Sequence, residues 1–155
     1  MAFIVVLGVA ASLMRVGIAT ILAFVATAAI GTYARAVNFD YPYVEQLVAL
    51  SVVAAGLLVA LGLAAKQPIW LPLALIAGLL HGYAFGEEVL EVDGSVIAAY
   101  MIGVAVVCLV ITLGVMFLPS KVLALSNAGS WLLRIPGALV SILGLMLLVQ
   151  LMMQT

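Results

Sequence analysis

The residues with the most evident chemistry lie in one apolar segment, Gly78 to Glu88, which contains the single histidine of the chain. His81 and Glu88 are seven residues apart. On a helix their side chains would therefore lie two turns from each other and about 20° apart around the axis. A carboxylate at the C-terminal end of a helix meets the negative end of the helix dipole, and a bound cation would relieve that repulsion. His81 and Glu88 are thus the first candidates for a cation site.

Each of these two residues also has a purely structural explanation. His81 would serve equally well as a neutral imidazole that shares a hydrogen bond with a serine or threonine of a neighbouring helix. Glu88 would fit a solvated acidic loop, or a helix end from which its side chain reaches water. An ionisable residue inside a membrane-spanning helix is nevertheless a functional hypothesis by default.

Small residues in the same segment indicate a packing face. Ala74, Gly78, Gly82 and Gly86 recur every four residues, which places them in one stripe where the backbone of another helix can approach closely. The face that carries His81 adjoins this stripe. We therefore expect the stripe to pack against a neighbouring helix, and His81 to point into the protein rather than at lipid.

The composition predicts the elements that hold these residues. Apolar residues make up 68% of the 155 residues and charged residues 7%, whereas soluble domains are about half apolar and a quarter charged. One helical crossing takes roughly 20 apolar residues, so the length allows about six crossings. We predict an all-α, polytopic membrane helix bundle with five full transmembrane helices and a short N-terminal half helix. The predicted helices cover residues 2–14, 16–37, 43–65, 68–86, 95–118 and 131–153 of a single transmembrane domain.

The basic residues predict how these helices are oriented. With alternating sides, Arg15, Lys66, Lys121 and Arg134 share one side of the membrane, and Arg35 is the one basic residue on the other. By the positive-inside rule the first side is cytoplasmic. All six acidic residues and the C-terminus fall on the opposite, non-cytoplasmic side. We expect a bacterial inner membrane or a thylakoid-type membrane.

Several functional classes are poorly supported by the sequence. Five basic and six acidic residues leave no basic patch for nucleic acid. A single cysteine, Cys108, excludes an internal disulfide and a CxxC motif. Because the sequence has no serine–histidine, paired-aspartate, zinc-protease or nucleotide-binding motif, we predict neither an enzyme nor a tightly bound cofactor. Any transport would be driven by a gradient or by the membrane potential.

The stretch Leu80-His-Gly-Tyr-Ala-Phe-Gly-Glu-Glu88 resembles the signature Phe-His-Gly-x-Ala-His-Gly-x-Glu of the HupE/UreJ family, membrane proteins linked to hydrogenase and urease maturation. Weaker similarities occur in the expected order and extend over essentially the whole chain: Pro42-Tyr-Val-Glu45, Tyr100-Met-Ile-Gly103 and Arg134-Ile-Pro-Gly137-Ala138. The resemblance implies a bundle of about six helices. It also implies uptake of nickel, or of cobalt, for metalloenzyme assembly.

The match to the family pattern is incomplete. His81 and Glu88 match the first histidine and the glutamate of the signature, whereas Phe85 stands in place of the second histidine. Thr112 stands where many relatives have another histidine. The first helix of the family carries a His-x5-Asp-His motif, and nothing in residues 2–14 corresponds to it. These thirteen residues are too few to cross a bilayer, so we expect them to be half of a helix whose outer half is absent.

Two functions are consistent with these observations. The first is a permease for a divalent transition metal, nickel or cobalt. Its ligands would be His81, Glu88 and Glu45, of which Glu45 lies at the start of the third predicted helix, and they would form a weak and labile set. The second is a family member that has lost its metal site and acts as a structural or accessory subunit of a larger membrane complex. The missing first-helix motif and Phe85 favour the second. The expected partners are the lipid bilayer, the metal ion, and either other membrane proteins or further copies of the chain.

Overall fold

The computed structural model describes residues 18–37, 40–61, 67–87, 93–124 and 131–154. Within these ranges the chain forms five α-helices, so the predicted all-α class is confirmed. The helices are α1 (Ile18–Ala36), α2 (Val44–Ala60), α3 (Gln67–Gly86), α4 (Gly94–Ala124) and α5 (Trp131–Gln154).

Four of the described helices, α1, α3, α4 and α5, are long and apolar enough to cross a membrane. Helix α2 has 17 residues, which makes it about 26 Å long at 1.5 Å per residue. It is therefore shorter than the roughly 30 Å hydrocarbon core of a bilayer. The prediction of five full spans is confirmed for four helices only. Residues 2–14, predicted to form the half helix, lie outside the described part of the chain.

Helix α4 continues beyond its predicted end. Pro119 and the nearby charge at Lys121 predict that this helix ends at Leu118, but it extends to Ala124. A proline removes one backbone donor and crowds the preceding turn, whereas the residues that follow it can still donate to carbonyl groups within the helix. The predicted end at residue 118 is therefore wrong.

The most extensive contact joins α1 to α3. The two helices run parallel, because residues further along α1 meet residues further along α3: Phe24 opposes Gly78, Ala28 opposes Gly82, and Thr32 opposes Gly86. Side chains on this face are small, so the two backbones touch. This is the arrangement by which transmembrane helices gain van der Waals contact without help from the hydrophobic effect.

A second close contact joins α2 to α5, and here the helices run antiparallel. Gly137 of α5 lies against the backbone of Gly56 and Ala60 of α2. One turn further along α5, the hydroxyl of Ser141 donates to the carbonyl oxygen of Val53 at 3.4 Å. Glycine, alanine and serine form this interface as glycines form the first, but it was not predicted from the sequence.

Helix α3 occupies the centre of the described bundle. Smaller contacts join α2 to α3 and α1 to α4, so the helices neighbour one another in the order α4, α1, α3, α2, α5. Apolar side chains of α4 and α5, such as Val110, Leu139 and Met146, are exposed and form the surface that lipid would cover. The buried core consists of Ile21, Phe24, Val52, Ala55, Val59, Trp70, Ala74, Ala77 and Cys108.

Candidate functional site

The glycines of α3 bring α1 close to the residues with functional potential. A Cβ atom added at Gly82 would overlap the carbonyl group of Ala28. A Cβ added at Gly78 would lie 2.5 Å from the carbonyl oxygen of Phe24, which is closer than real side chains approach. At both positions only glycine allows this helix separation, so these residues set the distance between the two backbones on either side of His81.

The other two members of the predicted stripe also face inward. Ala74 is completely buried, and a Cβ at Gly86 would lie 2.8 Å from the carbonyl oxygen of Thr32. The hydroxyl of Thr32 lies 2.9 Å from the carbonyl oxygen of Gly82 and 3.0 Å from that of Ala28, and it can donate to either. The bond to Gly82 is a direct polar link between α1 and α3, next in sequence to His81.

His81 is buried, with 6% of its surface exposed, and its ring lies at the contact between α3 and α2. Its Nε2 atom is 3.3 Å from the hydroxyl oxygen of Ser51. The hydroxyl of Ser51 donates to the carbonyl oxygen of Val48 at 2.7 Å, which leaves its oxygen able to accept from Nε2–H in the tautomer that carries the proton there. The rings of Phe24 and Phe85 flank the imidazole, with centroids 6.1 Å and 6.5 Å away.

Of the three predicted metal ligands, the structure describes two, His81 and Glu45, and these two lie apart. Glu88 lies outside the described residues. Glu45 is exposed in the first turn of α2, six residues before Ser51, which is about 9 Å along the helix axis. Among the described residues, no group of three histidine, cysteine, aspartate or glutamate side chains is placed to hold a metal ion.

Glu45 instead lines a cavity of about 500 Å³ at the end of the bundle where α1 and α3 finish and α2 begins. We call it the acidic cavity, because three carboxylates and one guanidinium surround it. Its polar and aromatic lining consists of Arg35, Asp40, Tyr41, Tyr43, Glu45, Gln46, Tyr83 and Glu87.

Arg35, in the last turn of α1, contacts two of these three carboxylates. Its guanidinium donates to both carboxylate oxygens of Glu87, at 3.1 Å and 3.3 Å. It also lies 3.6 Å from a carboxylate oxygen of Asp40 and 5.5 Å from the centre of the Tyr83 ring. A paired carboxylate attracts a further cation less strongly than an unpaired one. Of the three carboxylates that line the acidic cavity, Glu45 is therefore the one left to attract another cation.

The connection from α1 to α2 is held down beside this cavity. The backbone N–H of Tyr41 donates to the hydroxyl oxygen of Tyr83 at 2.8 Å. Two residues later, Tyr43 has φ 66° and ψ 18°, a left-handed conformation that residues other than glycine adopt infrequently. Helix α2 starts at the next residue.

Sequence reasoning missed Arg35, Tyr83 and Ser51 as members of this region. Arg35 had a signal, since it is the single basic residue among the acidic ones of its predicted side. A serine or threonine of a neighbouring helix was predicted as the structural partner of His81, but the sequence did not indicate that this partner is Ser51, 30 residues away. Thr112, expected from the resemblance to stand in place of a histidine, is buried and donates within its own helix to the carbonyl oxygen of Cys108 at 2.7 Å.

Comparison with known families agrees with this helical, apolar architecture. A sequence model of the family described as HupE / UreJ protein matches residues 1–147. Neither the curated proteins nor the solved structures gave a match. The family match covers most of the 155 residues and includes the segment around His81. The chain is thus a membrane protein that belongs to the HupE/UreJ family.

Proposed function

We propose that this protein is a membrane permease for a divalent transition metal, nickel or cobalt, that serves the maturation of metalloenzymes. Membership of the HupE/UreJ family, which is associated with nickel and cobalt uptake, supports the proposal. The observation that carries it is the burial of His81 inside a membrane-spanning helix, below a cavity lined by three carboxylates. Imidazole and carboxylate are the ligand types that such metals accept.

The route of the ion begins at the acidic cavity. Carboxylates at the mouth of a low-dielectric cleft raise the local concentration of cations. Glu45, which Arg35 does not contact, binds the incoming ion first, and His81 receives it deeper in the bundle. Glu88 is the third proposed ligand, because its sequence spacing from His81 and its match to the glutamate of the family signature favour it. In this proposal the acidic end faces away from the cytoplasm of a bacterial cell.

The test is uptake of radioactive nickel or cobalt by cells or proteoliposomes that contain the protein. His81→Ala should abolish uptake, and Glu45→Gln should reduce it. Thr112→Val is the matched control, because it also alters a buried polar residue of a spanning helix, but one that bonds only within its own helix. The proposal fails if the purified protein binds neither metal and His81→Ala leaves uptake unchanged.

A structural or accessory role in a larger membrane complex is the second candidate. It is favoured by the hydrogen bond between His81 and Ser51, which gives the imidazole a structural use. It is also favoured by the lack of a three-residue ligand group among the described residues. Copurification of a stoichiometric membrane partner in mild detergent, together with absence of metal uptake, would support this role. A solitary and active protein would exclude it.

A further inference from the structure

Residues 40–43, which we call the strap, border the acidic cavity and are fastened to two different helices. The backbone N–H of Tyr41 donates to the hydroxyl of Tyr83 on α3 at 2.8 Å. The carboxylate of Asp40 lies 3.6 Å from the guanidinium of Arg35 on α1. Both fastenings therefore attach the strap to α1 and α3, the most closely packed helix pair of the described bundle.

Arg35 connects the two fastenings to each other. Its side chain is only 15% exposed, whereas those of Asp40 and Glu87 are 89% and 62% exposed. The guanidinium lies against the Tyr83 ring and is held by both oxygens of Glu87. One side chain thus joins the strap, the tyrosine that binds the strap, and the end of α3. Loss of either fastening leaves the strap with only one of these two side-chain attachments.

The other end of the strap has the geometry of a hinge. Tyr43 adopts the left-handed conformation, and α2 begins immediately after it. The carbonyl oxygen of Tyr43 accepts the helical hydrogen bond from the N–H of Leu47, so the helix is already formed on one side of this residue. Movements of loops are commonly absorbed by a few dihedral angles at the end of a secondary-structure element. Rotation at Tyr43 would change the direction in which the strap leaves α2 while α2 stays in place.

We propose that the strap is a latch over the acidic cavity, hinged at Tyr43 and fastened by Tyr83 and Arg35, and that its release controls entry of ions from the acidic end of the bundle. In the closed position the fastenings keep Asp40 and Tyr41 at the cavity wall. In the released position the cavity widens toward solvent. The latch concerns the way into the cavity and does not depend on which ion enters.

The test measures how fast a thiol inside the cavity reacts with a charged, membrane-impermeant methanethiosulfonate. Gln46→Cys supplies the thiol, because Gln46 lines the cavity without joining either fastening. Cys108→Ala removes the natural cysteine, which is buried. Tyr83→Phe deletes one hydroxyl and keeps the ring beneath Arg35. It should speed labelling about fivefold, the factor that corresponds to one hydrogen bond between neutral groups. Arg35→Gln, which removes the other fastening, should also speed labelling.

Tyr33→Phe is the matched control, since Tyr33 is an exposed tyrosine of α1 that does not line the acidic cavity. Labelling in this variant should equal that of the parent. Hydrogen exchange provides a second readout that needs no thiol: the amide of Tyr41 should exchange faster in Tyr83→Phe than in Tyr33→Phe. Unchanged labelling and unchanged exchange in Tyr83→Phe and Arg35→Gln would overturn the latch, as would an equal increase in the control. No metal is present in these measurements, so their failure would leave the permease proposal standing.

Discussion

The carbonyl oxygen of Ala28 occupies the space in which a side chain at Gly82 would begin. This contact fixes α1 against α3 at the level of His81, the residue next to Gly82. The same pair of helices carries Arg35 and Tyr83 to the acidic cavity. The contact between the backbones of Ala28 and Gly82 thus helps to set the positions of the polar groups that α1 and α3 bring to the candidate site.

Gly82→Ala should destabilise the protein by about 1–3 kcal/mol, the usual cost of an added methyl group in a close-packed contact. The methyl group would meet the backbone of Ala28, which cannot move aside as a flexible side chain would. Thermal unfolding in detergent, followed by helical circular dichroism, measures the effect. Gly103→Ala is the control, because its new Cβ faces open space on α4. A loss of stability in Gly103→Ala equal to that in Gly82→Ala would contradict this account.

Thr32→Val should lower the free energy of unfolding by about 0.6 kcal/mol, the average measured for hydrogen bonds between membrane helices, and by no more than about 1.7 kcal/mol, the largest value. Valine has nearly the shape of threonine, so the change removes the bond to Gly82 and leaves packing intact. Thr112→Val is its control, since Thr112 belongs to α4 and its hydroxyl donates within that helix to the carbonyl oxygen of Cys108. Unfolding of the two variants in a graded series of denaturing detergent gives the comparison. Equal effects would assign the loss to helix propensity instead.

The helices could be predicted from the sequence, because the length of the apolar segments and the charged residues between them decide where a chain crosses a bilayer. The four-residue spacing of Gly78, Gly82 and Gly86 likewise indicated a packing face, and all three glycines lie against α1. Spacing does not say which helix lies on that face, since several helices offer small residues. Gly56 with Ala60 on α2 and Gly137 with Ser141 on α5 illustrate this, because both pairs have the same four-residue spacing and yet the sequence did not indicate that these two faces meet.

The ion pairs of the acidic cavity were harder to predict from the sequence for a related reason. Arg35 and Glu87 are 52 residues apart in sequence and meet only because α1 and α3 run parallel and end at the same level. The sequence favoured Glu45 as a ligand for its place at the start of a helix, but it did not indicate which of Glu45, Glu87 and Asp40 has a basic partner. Tertiary structure distinguishes them, because Arg35 contacts Glu87 and Asp40 and leaves Glu45 without a basic partner among the described residues.

Arg35→Gln should raise the affinity of the acidic end for divalent cations. Removal of the guanidinium leaves three carboxylates around the cavity with no cation among its described lining residues. One unit charge about 4 Å away contributes roughly 1 kcal/mol in water, so we expect binding about fivefold tighter. Equilibrium dialysis of the purified protein against cobalt measures it. Arg134→Gln is the control, because it removes a charge from the start of α5 and Arg134 does not line the cavity. It should leave the affinity unchanged. Equal or weaker binding in Arg35→Gln would show that Arg35 does not compete with the ion.

Phe85→His should create a stronger metal site. Phe85 lies one helical turn after His81, and the two ring centroids are 6.5 Å apart. Two histidines at this spacing on one helix face can bind the same metal ion, as in zinc sites built on a helix. The substitution also supplies the imidazole that the family signature has at this position. We expect nickel and cobalt to bind at least tenfold more tightly, in the range by which one supporting residue alters the metal affinity of a site.

Leu79→His is the matched control for this gain, because it adds one imidazole to α3 at an exposed, apolar position. Calorimetric titration of both variants with nickel shows whether the tighter binding comes from the pair formed with His81 or simply from one more histidine in the chain. The pair requires His81, so the double variant Phe85→His with His81→Ala should lose the added affinity. If Phe85→His binds no better than Leu79→His, then His81 does not present a nitrogen to an ion on this face. Its bond to Ser51 would then be its main role, and the accessory function would be the better account of this protein.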